Sequence, residues 1–474
     1  MALSTNVQPQ FLSLSKRLLS CALLLAVAPL LAMIAFQANA TEIDFTRHLS
    51  HYGPNQGDSV GVAESFFGIP GNARLIITGT SDDTNLTVRL NGAEVVGSHR
   101  VATTGHLQVP ITLARDNTLT VTLESTPMSR VTVRIKQVAA IELHVQSRVH
   151  FNTNVSDFAA AREFYGKLGL ETLSRFPDTN TVAMAQAIGI TTPTSYDGSE
   201  GGEAGGYQLH GELVGMGFMD GVIDLIEFTI PRNEEPPYAH LNHLGMARAA
   251  MHTTNIAADY AYMTEQGVKF LSAPTSRSDG SMFAIFTDLD GTYYELIEIQ
   301  GEDEETETTH IQRIAHVSVN VSDFERSQAW YQMLGYTVSH KLPPTDSMAV
   351  AHAMGLKETF EINGAIVTHP VDRSTLELVQ WITPHNPEKA YPVPINHLGI
   401  HRMAFSTSDI DADVAALKAQ GVEFVSEVTP CCSGADSWGG IVAFYDPDGT
   451  IIELVEQPFM SYLLPTLIWL RDAF

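Results

Sequence analysis

Basic residues are scarce in this chain. Its 474 residues include 27 Lys and Arg against 54 Asp and Glu, which gives a formal net charge of −27. This excess of acidic residues argues against nucleic acid and anionic membrane surfaces as partners, because both repel a negatively charged protein. It is compatible with a soluble protein in a salty or extracytoplasmic setting, where most of the charge forms a solvated surface.

Cysteine is rarer still, with 3 residues in the whole chain. Cys21 lies in an apolar N-terminal stretch, and the other two, Cys431 and Cys432, are adjacent. So low a cysteine content suits an exported bacterial protein. Adjacent cysteines can form a strained vicinal disulfide or bind a soft metal ion, but a loop pair without function is the favoured interpretation.

Long apolar runs are almost absent, and the one that stands out lies near the N-terminus. Lys16 and Arg17 precede the run Leu18–Phe36, and the small-residue motif A-N-A follows and ends at Ala40. This order is typical of a secretory signal peptide, so residues 1–40 are predicted to be removed from a periplasmic or extracellular protein. The run is long for a signal peptide, so an uncleaved membrane anchor is the alternative.

Two further segments differ from the rest of the chain. Residues 41–138 contain stretches in which apolar and polar residues alternate, separated by Asn-Gly, Asp-Asp and Pro turns. This pattern predicts a small antiparallel β-sandwich, whose role is open between binding, spacing and support of folding. Residues 458–474 form an apolar tail that is too short to span a bilayer and is expected to pack on the protein or to mediate association.

The remaining sequence contains an internal repeat. R-V-H-F-N-T-N-V-S-D-F returns as I-A-H-V-S-V-N-V-S-D-F, N-H-L-G-M-A-R as N-H-L-G-I-H-R, and T-D-L-D-G-T-Y-Y-E-L-I-E as Y-D-P-D-G-T-I-I-E-L-V-E. Order and spacing are kept, so residues 145–300 and 311–457 are two copies of one unit. An acidic linker, residues 301–310, separates them.

Each copy divides again into two halves of similar layout. In the second copy, a stretch with strand-like alternation is followed by Ser322 and Asp323, which can cap a helix, and the helical pattern then ends at Gly335. The other half opens its helix at Asp409 and ends it at Gly421. The predicted plan is therefore a strand, a helix and further strands, repeated four times along the chain.

In these motifs the chain resembles the vicinal oxygen chelate superfamily, which contains glyoxalase I, extradiol dioxygenases and bleomycin-resistance proteins. The resemblance rests on H-V-S-V-N-V-S-D-F, A-W-Y-Q-M-L-G, R-M-A-F-S-T-S-D-I-D and D-P-D-G-T-I-I-E-L, in this order. It implies an α+β fold of two tandem glyoxalase-like units, each with two βαβββ modules in a curved mixed sheet, after the small all-β sandwich. In metal-binding relatives the concave face, or cup, holds a divalent ion through ligands on the first and last strands of each module.

Carried over position by position, the resemblance gives each copy a candidate metal site. The preferred set, in the second copy, is His316, Glu377 and Glu453. The weaker set, in the first copy, is His150, Asp224 and Glu295. Imidazole and carboxylate groups suit Fe, Mn, Ni or Zn, and strand alternation aims them at one face. The catalytic candidates are Glu453, Glu377 and Arg402, and the candidates for substrate binding are Arg402 and Arg248.

Both copies depart from the metal-binding pattern at the first strand of their second module. Relatives place a ligand there, whereas this chain has Arg248 and Arg402, and a guanidinium cannot ligate a metal ion. His401 is adjacent, but a shift of one residue along a strand points to the opposite face. Either Arg402 clamps a substrate carboxylate or enolate beside the metal, or it pairs with Glu453 and Glu377 inside a metal-free cup.

The pairing of the modules and the function are open at this stage. Adjacent modules could share a cup, or the first could pair with the fourth and the second with the third. The leading hypothesis is a metal-dependent lyase, isomerase or dioxygenase of small oxygenated, preferably anionic, molecules, with glyoxalase-like chemistry as the closest comparison. The alternatives are a non-catalytic protein that sequesters a small molecule and a surface-structural protein. His243 and His397, which recur in N-H-L-G, are expected to brace the start of a strand.

Removal of the signal peptide is a first testable prediction. The mature chain should begin near Thr41, because A-N-A provides the small residues that a signal peptidase accepts. N-terminal sequencing of protein recovered from the periplasm or the medium checks this. Material that starts at Met1 or Ala2 would argue for a retained anchor.

Overall fold

The structure is a computed structural model that covers most of the chain after residue 40. It describes residues 41–50, 59–68, 71–79, 85–100, 106–114, 116–124, 130–139, 143–175, 180–301, 308–392, 394–431, 439–457 and 463. The predicted signal peptide, most of the acidic linker, Cys432 and most of the apolar tail lie outside these residues. Cys431 is disulfide-bonded. Within the described part of the chain, no helix is long and apolar enough to cross a membrane.

Eight strands between residues 41 and 139 form two antiparallel sheets. They are β1 (Thr41–Ser50), β2 (Ser59–Phe67), β3 (Gly71–Gly79), β4 (Asn85–Leu90), β5 (Ala93–Arg100), β6 (His106–Leu113), β7 (Asp116–Glu124) and β8 (Arg130–Ala139). The strand orders are β1-β8-β3-β6 and β2-β7-β4-β5. Alternate side chains of both sheets, such as Leu75, Ile77, Val88 and Val121, are buried in one core. The predicted β-sandwich is confirmed.

Four modules of similar order follow the sandwich. The first contains β9 (Val145–Asn154), α1 (Phe158–Lys167), β10 (Glu171–Arg175), α2 (Val182–Ala187), β11 (Gln208–Gly215) and β12 (Val222–Ile230). The second contains β13 (Gly245–Thr253), α3 (Ile256–Glu265), β14 (Lys269–Phe270), β15 (Thr275–Ser276), β16 (Met282–Thr287) and β17 (Tyr293–Glu298). The third contains β18 (Ile311–Asn320), α4 (Phe324–Met333), β19 (Thr337–Lys341), α5 (Met348–Ala353), β20 (Glu361–Thr368) and β21 (Thr375–Thr383). The fourth contains β22 (Gly399–Thr407), α6 (Ile410–Ala419), β23 (Thr429–Cys431), β24 (Gly439–Tyr445) and β25 (Ile451–Glu456).

The modules pair across the two sequence repeats rather than within them. In the outer sheet, β9 lies antiparallel to β22, and the strand order is β10-β11-β12-β9-β22-β25-β24-β23. In the inner sheet, β13 lies antiparallel to β18, and the order is β14-β16-β17-β13-β18-β21-β20-β19, with β15 paired to β16. The first module therefore pairs with the fourth and the second with the third. We refer to the two concave faces as the outer cup and the inner cup.

Polar residues begin the longer helices, as the sequence predicts. The side chains of four residues each accept a hydrogen bond from the backbone N–H three positions further on: Asp157, Asn255, Asp323 and Asp409. Such a cap satisfies one of the N–H groups that a helix N-terminus leaves unpaired. After α4, Gly335 adopts a φ of 92°, which favours glycine because it has no Cβ, and the helix ends there as predicted.

Two short helices that were not predicted fill part of each cup. In the outer cup, α2 and the turn after it share an apolar cluster with the sheet, including Ala185, Ile188, Ile226 and Phe228. In the inner cup, α5 does the same through Val350, Ala351, Val379 and Trp381. The sequence signal was the matching pair T-V-A-M-A-Q-A-I-G and S-M-A-V-A-H-A-M-G, whose first residues, Thr181 and Ser347, cap these helices. The protein itself therefore occupies much of both concave faces.

In each sheet, a buried asparagine at the end of one central strand fastens the loop that leads into the other central strand. Asn154, at the end of β9, donates through Nδ2 to the carbonyl oxygens of Ile395 and His397, at 2.6 and 2.5 Å. Asn320, at the end of β18, makes the equivalent pair of bonds at 2.7 and 2.6 Å. Both asparagines are buried, so each bond pair joins two modules where water does not compete.

Loss of this fastening should destabilise the protein. Asn154→Ala is expected to lower the free energy of unfolding by about 1–3 kcal/mol, because two buried carbonyl groups lose their donor. Asn320→Ala should act in the same direction. Urea unfolding followed by circular dichroism checks both variants. Asn363→Ala is the control, since its side chain bonds to Glu325 at an exposed position. Variants no less stable than this control would show that the fastening contributes nothing.

Candidate functional site

The inner cup brings together Arg248 and two glutamates. The Nε atom of Arg248, on β13, donates to Glu295 Oε2 on β17 at 2.8 Å. Its Nη2 atom donates to Glu377 Oε2 on β21 at 2.5 Å. Glu377 also accepts a hydrogen bond from the Ser318 hydroxyl on β18. The guanidinium therefore bridges one carboxylate from the second module and one from the third.

A second guanidinium, which the sequence analysis missed, reaches the inner cup from the turn after β15. Arg277 donates to the Glu295 carboxylate, and its Cζ atom lies 3.8 Å from the ring centroid of Phe283. The turn T-S-R-S-D-G-S gives no periodic signal for this contact, because it depends on the turn conformation. Glu295 is therefore paired with two arginines.

The outer cup repeats the bridge with residues of the first and fourth modules. Arg402, on β22, donates through Nη2 to Asp224 Oδ2 on β12 at 2.8 Å. The Nε atom of Arg402 lies 2.9 Å from Glu453 Oε1 on β25. His150 Nδ1 lies 3.5 Å from the same Asp224 oxygen. Arg402 therefore faces the cup and holds one carboxylate from each module, as Arg248 does.

The structure divides both predicted ligand sets between the two cups. The preferred grouping is wrong, because Glu453 lies in the outer cup while His316 and Glu377 lie in the inner cup. The weaker grouping is wrong in the same way, because Glu295 lies in the inner cup while its predicted partners lie in the outer cup. The two glutamates exchange places because each cup takes one module from each repeat.

A β-bulge changes the position predicted for His401. Strands β22 and β9 shift register at this point, so that His401 and Arg402 both lie opposite Asn152. The Asn152 Oδ1 atom accepts hydrogen bonds from the backbone N–H groups of both residues, at 3.2 and 2.7 Å. The expectation that His401 points to the opposite face rested on regular alternation, which a bulge interrupts. At the matching register shift of the inner sheet the residue is Ala247.

A column of five rings lies where the loops enter β13 and β22. The rings follow in the order His243, Tyr238, Tyr391, His397 and His401. The distances between successive ring centroids are 4.0, 3.8, 4.6 and 5.6 Å. His243 Nε2 lies 2.9 Å from Glu388 Oε2, and His397 Nδ1 lies 3.3 Å from Glu235 Oε2, each acid belonging to the other repeat. The tyrosines were missed, although one precedes each N-H-L-G motif by four or five residues.

Burial favours the neutral forms of three ionisable groups in the outer cup. It raises the pKa of Asp224 to about 7, with Arg402 opposing the shift and Glu453 adding to it. Burial and the nearby arginine charges lower the pKa of His150 to about 3. The pKa of His401 is lowered to about 3 as well, first by burial. At neutral pH, both histidines are therefore uncharged, and Asp224 is close to the pH at which it exchanges its proton.

The inner cup keeps its glutamate ionised instead. Burial alone would raise the pKa of Glu295, but the charges of Arg277 and Arg248 outweigh it and hold the pKa at about 2. Burial lowers the pKa of His316, against the opposing charges of Glu377 and Glu295. Two cups with the same bridge therefore differ in charge state at neutral pH.

The residues of neither cup fit the predicted divalent metal ion. Fe, Mn, Ni or Zn would need the carboxylates that Arg248 and Arg402 hold, and a guanidinium offers no lone pair to a metal. Across the described ranges, no group of three or more His, Cys, Asp or Glu residues is arranged to hold a metal ion. The place between the paired carboxylates, where a cation would lie, is taken by arginine.

Asp224 should make the stability of the protein depend on pH. Its pKa rises from an ordinary 3.8 to about 7 on folding, so the folded state holds the proton longer than the unfolded state does. The free energy of unfolding should therefore fall as the pH rises between these two values, and Asp224→Asn should remove this part of the fall. Urea unfolding of both proteins from pH 4 to pH 8 measures the difference.

Glu295→Gln provides the comparison of opposite sign. The pKa of Glu295 is lowered from 4.5 to about 2 on folding. The stabilisation that this carboxylate provides is therefore present above its unfolded pKa and is lost as the pH falls towards its folded pKa. The Gln variant should lose stability mainly above pH 4.5. An Asp224→Asn protein with the wild-type slope between pH 4 and pH 7 would contradict the raised pKa of Asp224.

Two segments of the chain match a known protein family. These segments, residues 147–296 and 313–454, match the family described as Glyoxalase/Bleomycin resistance protein/Dioxygenase superfamily. Together they make up more than half of the chain. No curated protein sequence matches the chain.

Solved structures that match parts of this chain come from a plant and from bacteria. Glyoxalase I from Zea mays is 16% identical, and the match covers 69% of this chain and 95% of that chain with a TM-score of 0.45. A glyoxalase family protein from Bacillus cereus is 23% identical, over 32% of this chain and 98% of that chain, with a TM-score of 0.28. A genomically encoded fosfomycin resistance protein from Listeria monocytogenes is 17% identical, over 32% and 99%, with a TM-score of 0.22. By its two family matches, the chain belongs to the glyoxalase/bleomycin resistance protein/dioxygenase superfamily, which is also called the vicinal oxygen chelate superfamily.

Proposed function

We propose that this protein binds a small molecule without a resident metal ion, and that an arginine stands in place of the metal in each cup. The observation that carries the proposal is the position of Arg248 and Arg402, each of which bridges carboxylates from two modules. The competing candidate is the function that the family resemblance implies, a metal-dependent lyase, isomerase or dioxygenase.

The burial of the arginines supports this proposal. Arg248 is 3% exposed and Arg402 is 6% exposed, so neither can leave its carboxylates for water without a rearrangement of the cup. A metal ion that took over the carboxylates would leave a permanently charged guanidinium buried without partners, at a cost of about 3–5 kcal/mol. The arginine bridge and a metal ion therefore exclude each other in these cups.

The same ion pairs argue against proton transfer by the predicted catalytic glutamates. Glu377 accepts hydrogen bonds from Arg248 and Ser318, and Glu453 lies 2.9 Å from Arg402 Nε. Each carboxylate therefore already has an oxygen beside a guanidinium, whereas a general base needs an oxygen within hydrogen-bond reach of the substrate proton. Binding or sequestration is therefore better supported than acid–base chemistry at these two residues.

The predicted preference for anionic ligands also loses its basis. Arg402 directs Nη2 to Asp224 and Nε to Glu453, and its Nη1 atom is buried without a hydrogen-bond partner among the described residues. The charge of the guanidinium is balanced by the two acids within the cup. An uncharged ligand is the better match to this electrostatic balance.

We infer that binding takes place outside the cytoplasm. The support lies in the sequence, where Lys16 and Arg17 precede an apolar run and A-N-A ends at Ala40. The formal net charge of −27 offers no basis for binding to nucleic acid.

Arg402→His should convert the outer cup into a metal site. The change removes the blocking cation and adds an imidazole next to His150, Asp224 and Glu453. After Zn²⁺ supplementation and gel filtration, elemental analysis should find about one equivalent of zinc in the variant and far less in the wild type. Arg402→Gln separates loss of the cation from gain of a ligand, and it should retain less zinc than Arg402→His.

Arg232→His is the matched control for surface binding by an added histidine. Arg232 lies in an exposed group of ion pairs with Glu227 and Glu234, and its replacement should gain no zinc. Stoichiometric metal in untreated wild-type protein, lost on Glu377→Gln, would overturn the metal-free proposal in favour of the enzyme candidate.

A further inference from the structure

A cavity open to solvent lies at one end of the inner cup, where β21 ends and β13 begins. Its volume is about 480 Å³. The first repeat contributes residues 239–242, Leu271 and Tyr293, and the second contributes residues 354–356 and 384–388. None of these residues takes part in the ion pairs around Arg248, so the cavity is a separate feature of the cup.

We propose that this cavity is the ligand site of the protein and that it takes an uncharged molecule with an apolar body and a hydroxyl, carbonyl or aromatic amine group. The proposal rests on the proposed small-molecule function and adds to it a place and a ligand class. Its volume lies within the range of sites that hold small molecules, about 300–1,000 Å³.

The floor of the cavity is apolar. It is formed by Leu241, Tyr293, Met354 and Leu356. Leu241 and Met354 belong to the apolar cluster that α5 forms with the sheet, and Tyr293 and Leu356 pack against it. Leu271 is 38% exposed at the opening. A ring placed on this floor would remove apolar surface from water, which is the main source of affinity for an uncharged ligand.

The walls of the cavity are fixed by hydrogen bonds. Asn242 Nδ2, from the first repeat, donates to the Pro384 carbonyl oxygen of the second repeat at 2.9 Å. The Tyr293 hydroxyl donates to the Ala239 carbonyl oxygen at 3.1 Å, which sets the position of its ring. The cavity therefore exists before a ligand arrives, and binding does not have to order its walls.

The charges around the cavity decide the ligand class. All of its lining lies in the described part of the chain, and none of these residues is Lys or Arg. The one acid, Glu388, lies 2.9 Å from His243 Nε2. An anionic ligand would therefore meet no fixed positive charge. His240, Asn242 and His385 offer donors and acceptors to a polar group on the ligand.

One equivalent position of the outer cup is more deeply buried. Tyr293 is partly exposed and corresponds to Ile451, which is fully buried there, while Met354 and its counterpart Ile188 are both buried, at 9% and 6% exposure. Both isoleucines belong to the apolar cluster of that cup. The partly exposed ring of Tyr293 is therefore a difference between the two copies at this cavity.

Fluorescence titration with N-phenyl-1-naphthylamine, an uncharged aromatic amine, tests the proposal. The probe should bind the full-length mature protein saturably, with one site per chain. Leu271→Trp should weaken binding by about tenfold or more, because the indole fills the opening. Leu289→Trp is the matched control, since Leu289 is 61% exposed and does not line the cavity, and its affinity should equal that of the wild type.

A charged analogue tests the ligand class. 1-Anilinonaphthalene-8-sulfonate has a similar ring system with an added negative charge, and it should bind at least about tenfold more weakly than the uncharged probe. Absence of saturable binding, equal affinity in the Leu271→Trp and Leu289→Trp variants, or a preference for the sulfonate would each overturn the proposal. Circular dichroism of each variant confirms that the comparison is made between folded proteins.

The metal content of the same protein separates this inference from the proposed function. One outcome is that the wild-type protein contains metal and binds the probe, and that Leu271→Trp weakens probe binding. This outcome would overturn the metal-free function and leave the cavity assignment intact. Metal-free protein without saturable probe binding would overturn the cavity assignment and leave the arginine proposal intact.

Discussion

A buried guanidinium held between two carboxylates is the interaction on which both cups depend. Arg248 joins the second module to Glu377 of the third, and Arg402 joins the fourth to Asp224 of the first. Each arginine is stable in the interior only while both of its carboxylates remain in place, because an unpaired buried charge is strongly unfavourable. The bridges therefore fix how the two modules of each sheet meet, and with it the register of the antiparallel strands at the centre.

Because each bridge joins residues of different repeats, neither repeat contains a complete cup. Asn154 and Asn320 also make hydrogen bonds between the repeats, since each binds a loop of the other repeat. The outer sheet needs the first module to meet the fourth, which lies more than 240 residues further along the chain. Contacts between residues so far apart in the chain carry a high entropic cost. Because the modules of the inner sheet are consecutive, we expect the inner sheet to assemble first.

Much of the fold could be predicted from sequence, because the evidence for it is local and repeated. Strand alternation, capping residues such as Asp323 and the recurring motifs each depend on neighbouring residues. The pairing of modules could not be predicted, since both possible arrangements bring the same residue types into each cup. The site was predicted less well for a similar reason. The position of His401 depends on a bulge held by the Asn152 side chain, and Arg277 reaches its glutamate through a turn without periodicity.

The two copies have kept the bridge and changed its surroundings. In the inner cup Arg277 adds a second cation, so Glu295 stays ionised and its network is electrostatically complete. In the outer cup His401 and Tyr207 stand where the inner cup has Ala247 and Phe360, and burial leaves a carboxyl group near its point of titration. The ion pairs of Arg248 and Arg277 with their glutamates support the strands beside the cavity. Ligand specificity can then reside in the apolar lining beside these ion pairs, where substitutions alter shape without leaving a buried charge unpaired.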